Sequence, residues 1–167
     1  MKHLSRDHGI TILRPENPPA ITINSGEELM VETWDAFTGI RDASVLTADS
    51  LVAQATGPIE VREAEPGDAL KVDLLKITPK EEAVHMVIPG RGFLEAEFTE
   101  PYPTVMAYDD GDIVFPSGLR FPINPSVGFV ATTPTYPQST ASDSGPYGGD
   151  IDMKELVAGS TIYLPVF

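Results

Sequence analysis

The stretch SDSGPYGGDIDMKELVAGSTIYLPV, residues 142–166, indicates a β-rich chain with a functional loop just before a strand. The loop is rich in glycine, and the pair Gly148–Gly149 is followed at once by Asp150 and Asp152. The next residues predict a short helix, because Asp150 is a good N-cap residue and Gly159 suits the position after a helix end. The β-branched and aromatic run STIYLPV then predicts a strand.

Short runs rich in β-branched residues continue this pattern along the rest of the chain and predict further strands. They are PAITIN, ELMVETWD, GPIEVR, ALKVDLLKIT, VHMVI, DIVF, LRFPIN and VGFVA. A second short helix is predicted within Val45–Gln54. We therefore expect a mainly β fold, a β-sandwich or barrel with one or two short helices, forming a single domain over residues 1–167.

Composition excludes several classes of function. The 167 residues carry 25 acidic and 11 basic side chains, a net charge of −14, which argues against nucleic acid or an anionic membrane as partner. No cysteine is present, so disulfides and thiolate metal sites are excluded, and a cytoplasmic location is expected. The sequence has no apolar run long enough to span a bilayer. It also lacks nucleotide-binding glycine motifs, HExxH and G-x-S-x-G.

Three aspartates are the best candidates for a chemical site. Asp35 ends the apolar strand ELMVETWD, and Asp150 and Asp152 follow the Gly148–Gly149 pair. Glycines allow a close approach of backbone to ligand, and carboxylates at such a place suit Ca²⁺ or Mg²⁺, or Zn²⁺ with help from histidine. The alternative is structural: Asp150 would cap the predicted helix, and Asp152 would favour its dipole.

Three other features have two interpretations each. Trp34 beside Asp35 would line a pocket or simply pack in the core. The run YDDGDIVF, residues 108–115, resembles a fragment of a calcium loop, but a solvated hairpin turn is favoured. The Pro/Ser/Thr/Gly-rich segment 132–149 is too long for an ordinary connection and predicts a binding loop or lid.

Four stretches, in this order, resemble the N-terminal part of the acetamidase/formamidase family. They are NPPAITINSGEELMVETWDAFTG, GPIEVREAEPGDALKVDLLKI, IPGRGFL with LRFPINPSVGFVATTP, and GPYGGDIDMKELVAGSTIYLPV. Two departures are local: the family's Gly-Gly-Asn-Met-Asp is Gly149-Asp150-Ile151-Asp152 here, and its Gly-Gly-Gln is Thr38-Gly39-Ile40-Arg41. The family chain also continues past YLPV into a segment rich in Gly, Asp and His, which has no counterpart here.

The resemblance implies hydrolysis of the C–N bond of a small amide such as formamide or acetamide. It implies a divalent metal, zinc or calcium, with Asp35, Asp152 and Asp150 as ligands, and a substrate pocket that includes Trp34, Gly148 and Gly149. The missing segment has three explanations: a second polypeptide supplies it, the chain is a fragment of a longer protein, or the chain is a naturally shortened relative that binds without catalysis. We expect a second chain or self-association, because a sheet cut at Phe167 would leave an unpaired edge. The alternative class is a non-catalytic β-domain that binds a cation or serves in assembly.

Overall fold

The computed structural model describes residues 1–45, 53–80, 82–135 and 139–167, and this part of the chain is built mainly of short strands. A single turn of 3₁₀ helix lies at Ala43–Val45. The described residues form seventeen strands, β1 to β17 in chain order: Lys2–Leu4, Gly9–Ile10, Ile12–Leu13, Ile21–Ile23, Leu29–Val31, Ala55–Thr56, Ile59–Val61, Ala69–Asp73, Glu82–Val87, Tyr102–Asp109, Asp112–Val114, Arg120–Pro122, Phe129–Ala131, Ser139–Thr140, Ser144–Gly145, Gly148–Asp150 and Thr161–Pro165. The expectation of a β-rich fold is confirmed.

The strands form several small sheets. The largest is antiparallel, with four strands in the order β12–β11–β10–β9, and a three-stranded sheet has the order β13–β16–β15. The remaining strands pair two by two: β1 with β5, β2 with β6, β3 with β14, β4 with β7, and β8 with β17. The pairs β1–β5 and β4–β7 are parallel and join segments far apart in sequence. The three-stranded sheet positions the candidate site, because β16 carries Gly148, Gly149 and Asp150.

The acidic run YDDGDIVF forms a tight hairpin, as the favoured interpretation predicts. Asp109 and Asp112 face each other across β10 and β11, and Asp110 and Gly111 connect them with φ angles of 48° and 84°. Two successive residues with positive φ are typical of a type I′ turn, whose twist matches the twist of the paired strands. Arg120 of β12 contacts both aspartates, with N–O distances of 3.0 Å to each.

The helix predicted from Asp150 to Gly159 is wrong. Asp150 belongs to strand β16, and Asp152 has a φ of 46°, a left-handed value that no helix contains. Distant residues bind the backbone of this segment: Val127 donates its amide to Leu156, and Asn124 donates its side-chain amide to Lys154. These nonlocal hydrogen bonds outweigh the local capping pattern, which is a weak preference. The other predicted helix, Val45–Gln54, lies mostly outside the described residues.

The core of the described residues is small for a chain of this length. Nine apolar side chains are buried: Leu4, Leu13, Ala55, Met86, Met106, Ala141, Tyr147, Leu156 and Leu164. Leu164 of β17 lies against strand β16, since its methyl would be 3.0 Å from a Cβ added at Gly148, and the ring of Tyr147 lies against Gly145 of β15. No helix in the described residues is long and apolar enough to cross a membrane.

Candidate functional site

Asp150 and Asp152 lie together at the end of strand β16. The amide of Asp150 donates to the carbonyl of Asp143, and the amides of Ile151 and Asp152 both donate to the carbonyl of Gly128. Asp152 has a φ of 46°, a conformation that aspartate tolerates better than most residues but that still costs free energy. The backbone is therefore bent by specific contacts so that both carboxylates are presented on one side.

Gly128 makes room for the second carboxylate. An ideal Cβ at position 128 would lie 2.6 Å from Oδ1 of Asp152, so a side chain there would require the exposed carboxylate of Asp152 to shift. Sequence reasoning missed this residue. A glycine next to a strand run, here in SVGFVA, often marks a close approach of another chain segment, but it does not indicate which segment approaches.

The two glycines of β16 have their neighbours on the adjoining strands. A Cβ at Gly148 would overlap the carbonyl oxygen of Val130, and one at Gly149 would overlap the carbonyl oxygen of Asp143. Both glycines are buried and have left-handed φ angles of 90° and 107°. In this structure the close approach that glycine allows is therefore to the neighbouring strands. The assignment of Gly148 and Gly149 to a substrate pocket stays a prediction.

The environment of Asp150 disfavours its negative charge. Partial burial is the largest cause that raises the pKa of this carboxyl, and the charge of Asp152 and hydrogen bonding with it raise the pKa further. Neither aspartate takes part in an ion pair with any of the described residues. Two adjacent carboxylates without a positive partner form an arrangement that a bound cation would stabilise.

Asp150→Asn should therefore stabilise the metal-free chain at neutral pH. A carboxyl whose pKa is raised on folding destabilises the fold when it is ionised, and this penalty disappears once pH falls below the ordinary value of 3.8. In EDTA at pH 7 the variant should melt at a higher temperature than the native chain, and the two curves should converge below pH 3.8. A variant that melts lower than the native chain at pH 7 would contradict this account.

Asp35 lies in a separate loop and organises it. One carboxylate oxygen accepts hydrogen bonds from the backbone amides of Phe37 at 2.9 Å and Gly39 at 3.2 Å. The other oxygen accepts from Arg41 at 2.9 Å, and Arg41 also contacts Glu82 of strand β9 at 3.0 Å. Sequence reasoning identified Asp35 but missed this clamp, because the partner of Arg41 is 41 residues away in sequence.

The charged form of Asp35 contributes stability. Partial burial alone would raise the pKa of Asp35, but the hydrogen bonds from Arg41, Gly39 and Phe37 outweigh it and hold the pKa below its ordinary value of 3.8. A lowered pKa means that the stabilisation is complete above pH 3.8 and is lost as pH falls further.

Asp35→Asn should consequently destabilise the chain at pH 7 by about 2 kcal/mol, the usual contribution of hydrogen bonds to a charged group. The difference in free energy of unfolding between native chain and variant should shrink as pH falls below 3.8. Urea unfolding at a series of pH values measures this difference. A difference that stays constant down to pH 2.5 would show that the carboxylate of Asp35 is not the source of the stability.

Two cationic side chains lie close to the ring of Trp34, beside the Asp35 loop. The guanidinium carbon of Arg6 lies 4.0 Å from the centre of the indole ring, and the ammonium of Lys80 lies 5.3 Å from it. Such contacts stabilise the ring by cation–π attraction. A Cβ added at Gly39 would lie 3.3 Å from the ring, so this glycine allows the loop to pack on Trp34. The placement of Trp34 in a substrate pocket stays a prediction.

The predicted metal ligands do not come together as one set in the described residues. Asp150 and Asp152 are adjacent, whereas both oxygens of Asp35 are engaged in its own loop. Within the part of the chain that the structure describes, no group of three or more Asp, Glu, His or Cys side chains could hold a metal ion. Two carboxylates fit part of a cation site, but catalytic zinc has three protein ligands and calcium has more, so further ligands are needed.

Comparison with known proteins identifies the class to which this fold and sequence belong. The Acetamidase/Formamidase family matches residues 6–142. Because this match covers most of the chain, the chain belongs to the acetamidase/formamidase family. The family resemblance is thereby confirmed. The matched residues contain the first three of the four stretches, whereas the fourth, residues 145–166, lies beyond them.

Individual relatives agree with this assignment. The chain is 28% identical over 114 residues to the acetamidase of Mycolicibacterium smegmatis, a match that covers 54% of this chain and 27% of the relative. The structure superposes on the crystal structure of the acetamidase from Bacillus halodurans with a TM-score of 0.90, 32% identity and 98% of this chain covered. It superposes on a predicted acetamidase/formamidase of Thermoanaerobacter tengcongensis with a TM-score of 0.92, 35% identity and full coverage of this chain.

The chain spans only part of the length of these relatives. It covers 57% of each of the two solved chains and about a quarter of the Mycolicibacterium acetamidase, 27%. The conformation of the chain is thus that of part of a larger fold. The activity of the whole relatives is therefore a proposal for this chain.

Proposed function

We propose that this chain contributes one part of the active site of a hydrolase that cleaves the C–N bond of small amides such as formamide or acetamide. Family membership supports amide hydrolysis as the reaction class. The observation that carries the proposal for this chain is the pairing of Asp150 with Asp152 against Gly128. In that arrangement Asp152 has a left-handed φ, and its carboxylate occupies the space beside Gly128 that a Cβ would fill.

A strained backbone and a destabilised charge at one place support a functional role. Asp152 is held in a costly conformation, and Asp150 is disfavoured as an anion by burial and by its neighbour. Neither feature helps the fold, and strain of this kind is found preferentially at functional sites. A cap or a helix dipole no longer accounts for the two aspartates, since no helix begins there.

Asp150 and Asp152 are the residues of this chain that would hold a divalent metal, zinc or calcium. When bound, such a metal would polarise the amide carbonyl and activate water, the two requirements of amide hydrolysis. The carboxylates of this chain would fix the position of the cation and relieve their own repulsion. Because Gly128 has no Cβ, it would leave room for the carboxylate of Asp152 beside it. The remaining ligands would come from outside the described residues.

Asp35 has a positioning role in this proposal. Both of its carboxylate oxygens already accept hydrogen bonds, from the amides of Phe37 and Gly39 and from Arg41. Through Arg41 and Glu82 it fixes the Trp34 loop to the largest sheet. The predicted role of Asp35 as a ligand would require Arg41 to move away.

The experiment is a measurement of ammonia release from formamide and acetamide. It compares the 167-residue chain alone with the same chain co-expressed with the part of the Thermoanaerobacter tengcongensis chain that it does not cover. Saturable release by the co-expressed pair and none by the chain alone is the expected result. Absence of ammonia from both preparations, with zinc and with calcium added, would contradict the proposed function and favour the non-catalytic assembly domain.

A further inference from the structure

Two cationic side chains from distant segments lie over the ring of Trp34. The guanidinium carbon of Arg6 is 4.0 Å and the ammonium nitrogen of Lys80 is 5.3 Å from the ring centre. Arg6 follows strand β1, Trp34 follows β5 and Lys80 precedes β9, so three segments of the chain meet at this ring. The two positive charges are at most about 9 Å apart, the sum of these distances, which is close to one screening length at physiological salt.

Neither cation has a carboxylate partner within the part of the chain that the structure describes. The sequence has 25 acidic and only 11 basic side chains, so partners are plentiful. Four other basic side chains form ion pairs with aspartate or glutamate: Lys2, Arg41, Lys71 and Arg120. Two positive charges without such a pair, held on one ring, make a local site of positive potential in a chain of net charge −14.

The indole adds a hydrogen-bond donor to these two cations. A Cβ added at Gly39 would lie 3.3 Å from Cζ3 and 3.8 Å from Cε3, which are on the side of the indole opposite Nε1. Gly39 therefore packs near the edge that has no donor. The faces of an aromatic ring are negative and its edges are positive, so cations are stabilised over the faces and an anion is stabilised at the edge, where Nε1–H points.

We propose that Arg6, Lys80 and the Nε1 edge of Trp34 bind a small organic carboxylate, the class of anion that amide hydrolysis releases. A carboxylate has two oxygens that accept paired hydrogen bonds from a guanidinium, which a monatomic anion does not offer. The cation–π contacts hold both side chains near the ring before the ligand arrives, and this lowers the entropy cost of binding. The choice of a carboxylate rests on the proposed function, whereas the positive site rests on the geometry around Trp34.

A purely structural role explains the arrangement less well. One cation over the ring is enough to fasten a neighbouring segment to Trp34. A second cation adds repulsion between like charges, and this repulsion is relieved when an anion lies between them. Lys80 is exposed, so it has little packing to gain from its position over the ring.

The test is a fluorescence titration of the 167-residue chain with sodium acetate. Trp34 is the only tryptophan in the sequence, so its emission reports on this site alone. Sodium chloride is exchanged for sodium acetate at constant ionic strength, which keeps screening unchanged. We expect a saturable change in emission with a dissociation constant on the order of 1 mM. A titration with sodium phosphate at the same ionic strength should give a weaker response.

Variants identify the groups that bind. Arg6→Gln and Lys80→Gln should each raise the dissociation constant for acetate about 10-fold or more, since each removes a charged donor. Arg6→Lys keeps the charge and loses the forked geometry, so it should raise the constant less than Arg6→Gln does. Arg62→Gln is the matched control, because Arg62 is an exposed arginine at the end of β7, outside the contacts of Trp34. It should change the constant by less than about twofold.

The outcomes separate this site from the proposed function. Acetate binding that depends on Arg6 and Lys80, with no ammonia release by the co-expressed pair, supports the anion site and contradicts the proposed function. Ammonia release with no response of Trp34 to acetate does the reverse. A response that is linear in acetate, or one that Arg62→Gln weakens as much as Arg6→Gln, would overturn the site. Tighter binding of phosphate than of acetate would overturn its assignment to a carboxylate.

Discussion

Gly149→Ala is expected to destabilise the chain by about 4 kcal/mol. The added Cβ would overlap the carbonyl oxygen of Asp143 and lie 3.0 Å from Cα of Ser144. Both contacts are with backbone of the neighbouring strand, which has no flexible side chain to move aside. The same carbonyl of Asp143 accepts the amide of Asp150, so the substitution also displaces the candidate site. Urea unfolding measures the change.

Gly67→Ala is the matched control for backbone strain. Gly67 has a φ of 102°, close to the 107° of Gly149, but a Cβ added there would have no neighbour within 4 Å. It should cost only about 1–2 kcal/mol, the penalty of a left-handed conformation. Equal losses in the two variants would show that crowding at Gly149 contributes nothing and that strand β16 can move away from Asp143.

The assembled pair is this chain co-expressed with the uncovered part of the Thermoanaerobacter tengcongensis chain. In this pair Asp152→Asn is expected to lower amide hydrolysis and divalent metal content about 100-fold or more, since even the loss of a residue that only supports a metal ligand lowers affinity or activity 10–100-fold. The amide removes a full charge from the cation's immediate surroundings while keeping the shape of the side chain. The fold should survive, because Asp152 is exposed and its backbone hydrogen bonds to Gly128 are unchanged. Ammonia release and elemental analysis of the purified pair measure the two losses.

Asp112→Asn is the control for loss of one negative charge. Asp112 is paired with Arg120 at 3.0 Å in the β10–β11 hairpin, outside the candidate site. Its metal content and activity should equal those of the native pair. If Asp152→Asn also kept full metal content and full activity, Asp152 would have only a structural role and the metal site would lie elsewhere.

Asp35→Asn distinguishes the two roles considered for Asp35. As a ligand, Asp35 would lose metal on substitution, whereas as a positioning residue it would lose stability and retain metal. Its hydrogen bonds to Arg41 and two backbone amides favour the second result. Both quantities can be measured on one preparation of the assembled pair.

Features with a local cause were predictable from the sequence. The strand content follows from β-branched runs, and the Asp110–Gly111 turn follows from its residue types. The proximity of Asp150 and Asp152 follows from their spacing. The helix at 150–159 was predicted wrongly because capping preferences contribute little free energy compared with the nonlocal hydrogen bonds that residues 124–128 make to this segment.

Features with a nonlocal cause were not predictable from one sequence. The clamp from Asp35 through Arg41 to Glu82 joins a loop to a strand far along the chain. The contact of Gly128 with Asp152 depends on the register between β13 and β16. That register is set by the pairing of the two strands and not by the local sequence. Phe93 and Phe98 show the same limit: phenylalanine is usually a core residue, and the exposure of these two side chains is visible only in the structure.

Hydrolysis of acetamide by the assembled pair in ¹⁸O-labelled water tests the central claim most directly. The claim is that this chain supplies part of the site of an amide hydrolase. It predicts one ¹⁸O atom in the acetate for each ammonia released, with both products reduced about 100-fold or more when the chain carries Asp152→Asn. A correctly assembled pair that releases neither ammonia nor labelled acetate, or one in which Asp152→Asn changes neither, would contradict the claim.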